Sequence, residues 1–248
     1  MYFAVILSTL VLSSLGAVLK DESRVVGGVD TKIEDHPYQV SLLWNLDGKS
    51  GHTCGGSLIA QNWVLTAAHC VEKYKLTVRV GSSDLESGGK IHTIKKIHVH
   101  PYYEPFDYDF ALLELDEPVF LSNKVQLVKL VEQGVDLDEG TFLNATGWGT
   151  TATEDLAPVL QLVTVPVVNT YTCSKIYDFG ITQRMFCAGY MDGTLKDICS
   201  GDSGSPVVKD GIQYGVVSWG KACADPRYPN VYSKVSYERI WIKEVSGV

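Results

Sequence analysis

The chain has 248 residues, with 21 basic against 29 acidic side chains and a formal net charge of −8. Hydrophobic residues at 45% and charged residues at 20% describe a globular protein with a substantial core, and exclude a disordered or fibrous one. The acidic balance argues against nucleic acid or an anionic membrane surface as a main partner, because both need a basic footprint.

From the N-terminus, Tyr2 to Leu12 is apolar apart from Ser8 and Thr9, and small residues follow at Ser13, Ser14, Gly16 and Ala17. A bilayer-spanning helix needs about 20 apolar residues, so this run is too short. It reads as a secretory signal peptide over residues 1–16, although no Lys or Arg precedes it. No other apolar run is long enough to span a membrane. Six cysteines, an even count, suit a disulfide set in an oxidising compartment, which places the protein outside the cell.

Short β-rich runs then recur between turn signals: Leu76–Val80, Ile91–Val99, Phe110–Leu115 and Gln161–Val168. His98 and His100 lie two apart on a predicted strand, so their side chains share a face, but a His-Pro here is ordinary and no metal site is assigned to them. Asn144-Ala145-Thr146 is a glycosylation sequon. Further on, Val207–Val208 and Ile212–Tyr214 flank Lys209-Asp210-Gly211, which carries an Asp-Gly hairpin signal. Gly215–Trp219 follows. Strands without alternating helices imply antiparallel barrels or a sandwich, not βαβ units. A C-terminal helix closes the chain, with Ser236 as its cap, Glu238 in its first turn, and Tyr237, Ile240, Trp241 and Val245 on one face.

Three short motifs carry chemistry. They are Thr66-Ala67-Ala68-His69-Cys70, Asp109-Phe110-Ala111-Leu112-Leu113 and Gly201-Asp202-Ser203-Gly204. A serine hydroxyl is a poor nucleophile until a base takes its proton, and a histidine shuttles protons near neutral pH. Each motif alone is modest evidence; the order His, Asp, Ser makes them a set.

With Val25-Val26-Gly27-Gly28, Cys54-Gly55-Gly56-Ser57-Leu58-Ile59, Gly147-Trp148-Gly149 and Ser218-Trp219-Gly220, the chain resembles the secreted serine endopeptidases of the chymotrypsin family, trypsin-like branch. The resemblance runs from Arg24 to the C-terminal helix. It implies an all-β fold of two six-stranded antiparallel barrels with a C-terminal helix, the N-terminal barrel over about 25–130 and the C-terminal barrel over about 131–248.

The resemblance also assigns roles. His69, Asp109 and Ser203 form the triad, Ser218 bonds the aspartate, and the amides of Gly201 and Ser203 form the oxyanion hole. Residues 17–24 form an activation peptide ending in Arg24. Cleavage there, by another protease or by the enzyme itself, frees the α-amino group of Val25 to pair with Asp202. The disulfides pair Cys54–Cys70, Cys173–Cys187 and Cys199–Cys223, where sequence alone allows 15 connectivities for six cysteines. No Cys-x-x-Cys spacing supports zinc.

By the same resemblance, Asp197 is expected at the base of the specificity pocket, where a carboxylate selects Arg or Lys, with Trp219 and Gly220 beside it. Three neighbours depart from typical trypsins: Ile198 replaces a small residue, Asn230 a glycine, and Ala222 another glycine. Ile198 removes a hydroxyl that helps bind Lys, so Arg is preferred. The Asn230 NH₂ is placed to satisfy Asp197 and to compete with substrate. Ser205 also replaces a usual glycine, behind the nucleophile. Residues 81–89 lack the acid pattern of a calcium loop.

The chemistry calls for no metal or cofactor. Expected partners are protein or peptide substrates, protein inhibitors and an activating protease, with the enzyme itself a monomer. Two alternatives stand: an active endopeptidase of chymotrypsin-like, elastase-like or broad specificity, and a protease-shaped binding module without catalysis.

Overall fold

The computed structural model describes residues 27–151, 155–178 and 180–248. The signal segment and the activation segment, with Arg24 and Val25, lie outside the described residues.

After a short β1 (Val29–Asp30) come β2 (Gln39–Leu46), β3 (Lys49–Ala60), β4 (Trp63–Thr66), β5 (Lys75–Val80), β6 (Lys90–Val99) and β7 (Ala111–Leu115). These six from β2 onward close into an antiparallel barrel in the order β2-β3-β4-β7-β6-β5. Beyond β8 (Lys129–Leu130) lie β9 (Phe142–Gly147), β10 (Gln161–Val168), β11 (Met185–Ala188), β12 (Pro206–Lys209), β13 (Ile212–Trp219) and β14 (Asn230–Lys234). The ring β9-β10-β11-β14-β13-β12 closes because β9 pairs with both β10 and β12. The fold is therefore two closed six-stranded antiparallel barrels, and closure leaves neither with an open edge. β1 and β8 both attach to the second barrel, through β10 and β13.

Side-chain alternation drives the closure. In β10, Gln161, Val163, Val165 and Val167 point inward while Leu162, Thr164 and Pro166 stay half-buried. β5 repeats this with Leu76, Val78 and Val80 inward. β12 and β13 join through Asp210 (φ 51°) and Gly211 (φ 75°), the left-handed pair that a tight hairpin needs.

Two helices complete the chain: α1 (Thr170–Ile176) and α2 (Val235–Ser246). α1 is absent from the predicted elements; Asn169 caps it by accepting from the amides of Tyr171 and Thr172. The expected cap of α2 is corrected. Its N-cap is Lys234, without a side-chain bond, and Ser236 is buried inside the first turn. β14 runs straight into α2, so no loop exists in which Ser236 could cap. The buried face is also different: Ile240 is 61% exposed, while Val235, Glu238 and Ile242 are buried. Polar Glu238 belongs to that face because it bonds His100 of the first barrel (3.0 Å). Val235 and Ile242 pack into the core that holds Leu58, Leu65, Leu112 and Leu113, so α2 ties the chain end to the first barrel.

Candidate active site

His69 sits in a single helical turn, Ala68–Cys70, directly after β4, and Asp109 lies just before β7. Both belong to the first barrel. Asp109 is 3% exposed and fully engaged. Its Oδ2 lies 2.7 Å from His69 Nδ1 and accepts from Ser218 Oγ at 2.6 Å. Its Oδ1 accepts from the His69 amide at 3.0 Å. Burial alone would raise its pKa, but the bonds from His69 and Ser218 outweigh burial and hold it below the usual carboxylate range. The ionised Asp109 fixes the proton of His69 on Nδ1 and leaves Nε2 as the basic nitrogen.

Ser203 comes from the second barrel, on the loop between Cys199 and β12. Its carbonyl accepts from Gly55 (2.8 Å), and the next amide, Gly204, donates to Val217 (2.8 Å). Ser203 lines the cavity described below. The Asp109–His69 half of the constellation is hydrogen-bonded; the Ser203–His69 half is not, and His69 Nε2 lies 3.8 Å from Cys70 Sγ. Such bonds are often loose before substrate binds.

Gly201 adopts φ 96°, a conformation open to glycine and costly to other residues. Its carbonyl is held by a residue that no motif revealed. His52 Nε2 lies 2.9 Å from Gly201 O, and His52 Nδ1 lies 2.8 Å from Ser41 Oγ. Because a carbonyl can only accept, Nε2 carries the proton and Nδ1 accepts from Ser41. Burial pushes the His52 pKa down to about 4, against the opposing bond to Gly201, so the imidazole is neutral at working pH. Among the described residues, the amides of Gly201 and Ser203 donate to no protein acceptor.

Asp202 is 2% exposed. Its carboxylate accepts from the amides of Gly149 (2.8 Å) and Cys199 (3.0 Å). Burial nevertheless pushes its pKa up to about 6. No cation pairs with it among the described residues, and its expected partner, Val25, lies outside them. Behind Ser203, Ser205 is fully buried and accepts from Gln39 Nε2 at 3.2 Å, while Gln39 Oε1 accepts from Thr146 at 2.7 Å. This chain of bonds stitches β2 of one barrel to β9 of the other behind the nucleophile.

Beside Ser203 lies a cavity of about 310 Å³ whose walls include Ile198, Val217, Trp219, Gly220, Ala222 and Asn230. Asp197 lies beneath it and is only 4% exposed. Its Oδ1 accepts from Asn230 Nδ2 (2.6 Å) and the Ile198 amide (2.9 Å), and its Oδ2 from the Ala224 amide (3.0 Å). Burial dominates and pushes its pKa up to about 6, in spite of these donors. Asn230 reaches right across the cavity floor: a Cβ on Gly220 would lie 2.0 Å from Asn230 Oδ1. The carboxylate thus sits under a carboxamide lid.

The cysteines form the bonds Cys54–Cys70, Cys173–Cys187 and Cys199–Cys223. The first abuts His69 and the third lines the cavity. Cys54, His69 and Cys70 cluster closely, but both sulfurs are committed to the disulfide and offer no thiolate to a metal. The shared face expected of His98 and His100 is corrected. β6 ends at Val99, so the two rings diverge: His98 packs on Trp63, and His100 turns to Glu238 and stacks on Tyr108. Asn144 is exposed on β9 and accepts from Thr164 at 2.8 Å.

Known proteins resemble this chain over most of its length. The family model described as Trypsin matches residues 25–242. Trypsin 5G1 of Aedes aegypti is 46% identical over 237 residues, covering 93% of this chain and 88% of its own. A trypsin of Phaedon cochleariae is 45% identical over 234 residues, 91% of this chain and 89% of its own. The vitellin-degrading protease of Bombyx mori is 41% identical over 231 residues, 89% of this chain and 85% of its own.

Proposed function

The chain belongs to the trypsin family of serine endopeptidases, and on that premise we propose a secreted enzyme, made as a zymogen, that cuts peptide bonds after basic residues. His69 Nε2 takes the proton of Ser203 Oγ as that oxygen attacks the scissile carbonyl. Asp109 stabilises the imidazolium that forms. The same proton then passes to the leaving amine, and water repeats the sequence on the acyl-enzyme. The amides of Gly201 and Ser203 receive the developing oxyanion, and each such donor is worth about 3 kcal/mol in the transition state. The observation that supports this reading best is buried Asp109, bonded at once to His69 and Ser218.

Activation follows cleavage after Arg24. The new α-amino group of Val25 would supply the cation that buried Asp202 lacks among the described residues, and a buried charge left unpaired is costly. An activating protease is then a partner, or the enzyme itself if its pocket takes Arg. Secretion rests on the N-terminal apolar segment and the three disulfides; among the described residues no helix is long and apolar enough to cross a membrane.

Asp197 supplies the negative charge that selects a basic side chain, and Ile198 offers no hydroxyl to a lysine ammonium, so Arg is favoured over Lys. A second reading has its own support. Asn230 already occupies Oδ1 of Asp197, and a substrate guanidinium must displace that bond. If it cannot, the cavity takes a neutral side chain on the carboxamide floor. Cleavage of Arg, Lys, Phe, Leu and Ala substrates by the activated enzyme separates the two: highest kcat/KM on Arg supports the first, and a clear preference for Phe or Leu overturns it.

A further inference from the structure

We propose that Arg184 and Asp107 act together as positioning residues, a clamp between the barrels that holds Phe106 in the substrate cleft. The inference rests on the endopeptidase reading and adds a determinant outside the triad and the cavity.

The segment between β6 and β7 carries Asp109 and makes a tight turn just before it. Glu104 and Asp107 exchange backbone bonds of 3.1 and 3.0 Å. Two bulky residues of this turn are left-handed, Phe106 at φ 77° and Tyr108 at φ 47°. Aromatic side chains rarely adopt that conformation, so the local chain does not hold it and its surroundings must.

His100 and Tyr102 of the same segment pack on the Tyr108 ring, and the side-chain bonds to Asp107 come from the second barrel. Arg184 Nε donates to Asp107 Oδ1 at 2.8 Å while Nη2 donates to Oδ2, a two-pronged pairing that fixes direction as well as distance. Thr182 Oγ1 adds a bond of 3.3 Å, and the guanidinium lies 4.2 Å over the Tyr108 ring. The Arg184 carbonyl is anchored in turn by the Lys234 amide at 2.8 Å. The pair is mostly buried, with side chains 17% and 20% exposed, so solvent screens it weakly.

The held turn presents Phe106 to the cleft. The Phe106 carbonyl accepts from Trp219 Nε1 at 3.2 Å, and the two rings meet edge to face at 5.3 Å. With Tyr177 they line a second cavity of about 270 Å³, which shares Trp219 and Gly220 with the first. Asp109 does not depend on the clamp in the same way, because His69, Ser218 and Ser233 hold it directly. The clamp therefore acts on binding of an extended chain, not on the chemical step.

The test compares a single-residue ester with a tetrapeptide amide of the same P1, using activated enzyme counted by active-site titration. In Arg184→Gln and in Asp107→Asn, KM for the tetrapeptide is expected to rise about tenfold with kcat unchanged, and the ester constants to stay at the parent values. The double variant should lose no more than either single one, because both break one interaction. Arg184→Lys, which keeps the charge and one bond, should recover part of the loss and guards against a folding defect. Equal losses on both substrates, no loss on either, or additive losses in the double variant would overturn the clamp. A parent enzyme that cleaves neither substrate would instead overturn the endopeptidase reading.

Discussion

Asn230 donates its carboxamide N–H to Asp197 at 2.6 Å, so the carboxylate beneath the specificity cavity is partnered before any substrate arrives. The lid has two opposed effects. It lowers the cost of burying a carboxylate that is 4% exposed, and it competes with a substrate guanidinium for the same oxygen. Replacing Asn230 by Gly clears the floor. The expected outcome is an increase of about tenfold in kcat/KM for Arg substrates, equivalent to about 1.4 kcal/mol, with little gain for Leu or Phe. Steady-state kinetics on matched substrates checks it, and an unchanged Arg rate would mean that the lid is not in the way.

The Asp197 pKa, pushed up to about 6 by burial, gives a pH signature. Below that value the carboxyl is neutral and offers no charge to a basic side chain. The ratio of kcat/KM for an Arg substrate to that for a neutral one should fall as pH drops through about 6, and the triad's own titration cancels in the ratio. The stability sign is the reverse. A carboxyl whose folded pKa is raised stabilises the fold below its unfolded value of 3.8, and that contribution is lost as pH rises to about 6. Asp197→Asn should flatten both profiles.

His52 titrates in the opposite sense. Its folded pKa of about 4 lies below the free value of 6.5, so its contribution is present above 6.5 and is lost as pH falls to about 4. The loss amounts to about 3 kcal/mol. Thermal unfolding of the parent and His52→Phe between pH 7 and 4 should show the variant losing less stability across that window. Because His52 holds the Gly201 carbonyl, kcat of the variant should fall while KM changes little. A variant with full kcat would show that Gly201 needs no such support.

Arg24→Gln removes the cleavage site. The uncleaved chain should stay inactive, with kcat/KM at least about a thousandfold below that of the cleaved parent, because Asp202 gains no α-amino partner. Full activity from this variant would remove the zymogen from the scheme.

Much of this was legible from residues close in sequence. The β-rich run Gln161–Val168 matches β10, and Asp210-Gly211 matches the β12–β13 turn, because both signals are local. The bond between Asn230 and Asp197 was expected once each was placed in the pocket. What escaped was set by tertiary partners. His52 meets Gly201 across 149 positions and Arg184 meets Asp107 across 77, and neither pair has a local signature. Ser236 and Ile240 misled for a related reason: propensity and polarity ranked them as cap and core. β14 enters α2 directly, and the bond between His100 and Glu238 draws another face of the helix inward.

The measurement that bears most directly on Ser203 is labelling by a fluorophosphonate after cleavage at Arg24, with the adduct located by peptide mass spectrometry. One adduct per chain, on Ser203, absent in Ser203→Ala and strongly reduced in His69→Ala, is the expected result. A cleaved, folded chain that takes no label, or takes it elsewhere, would contradict a Ser203 nucleophile and favour a protease-shaped binding module.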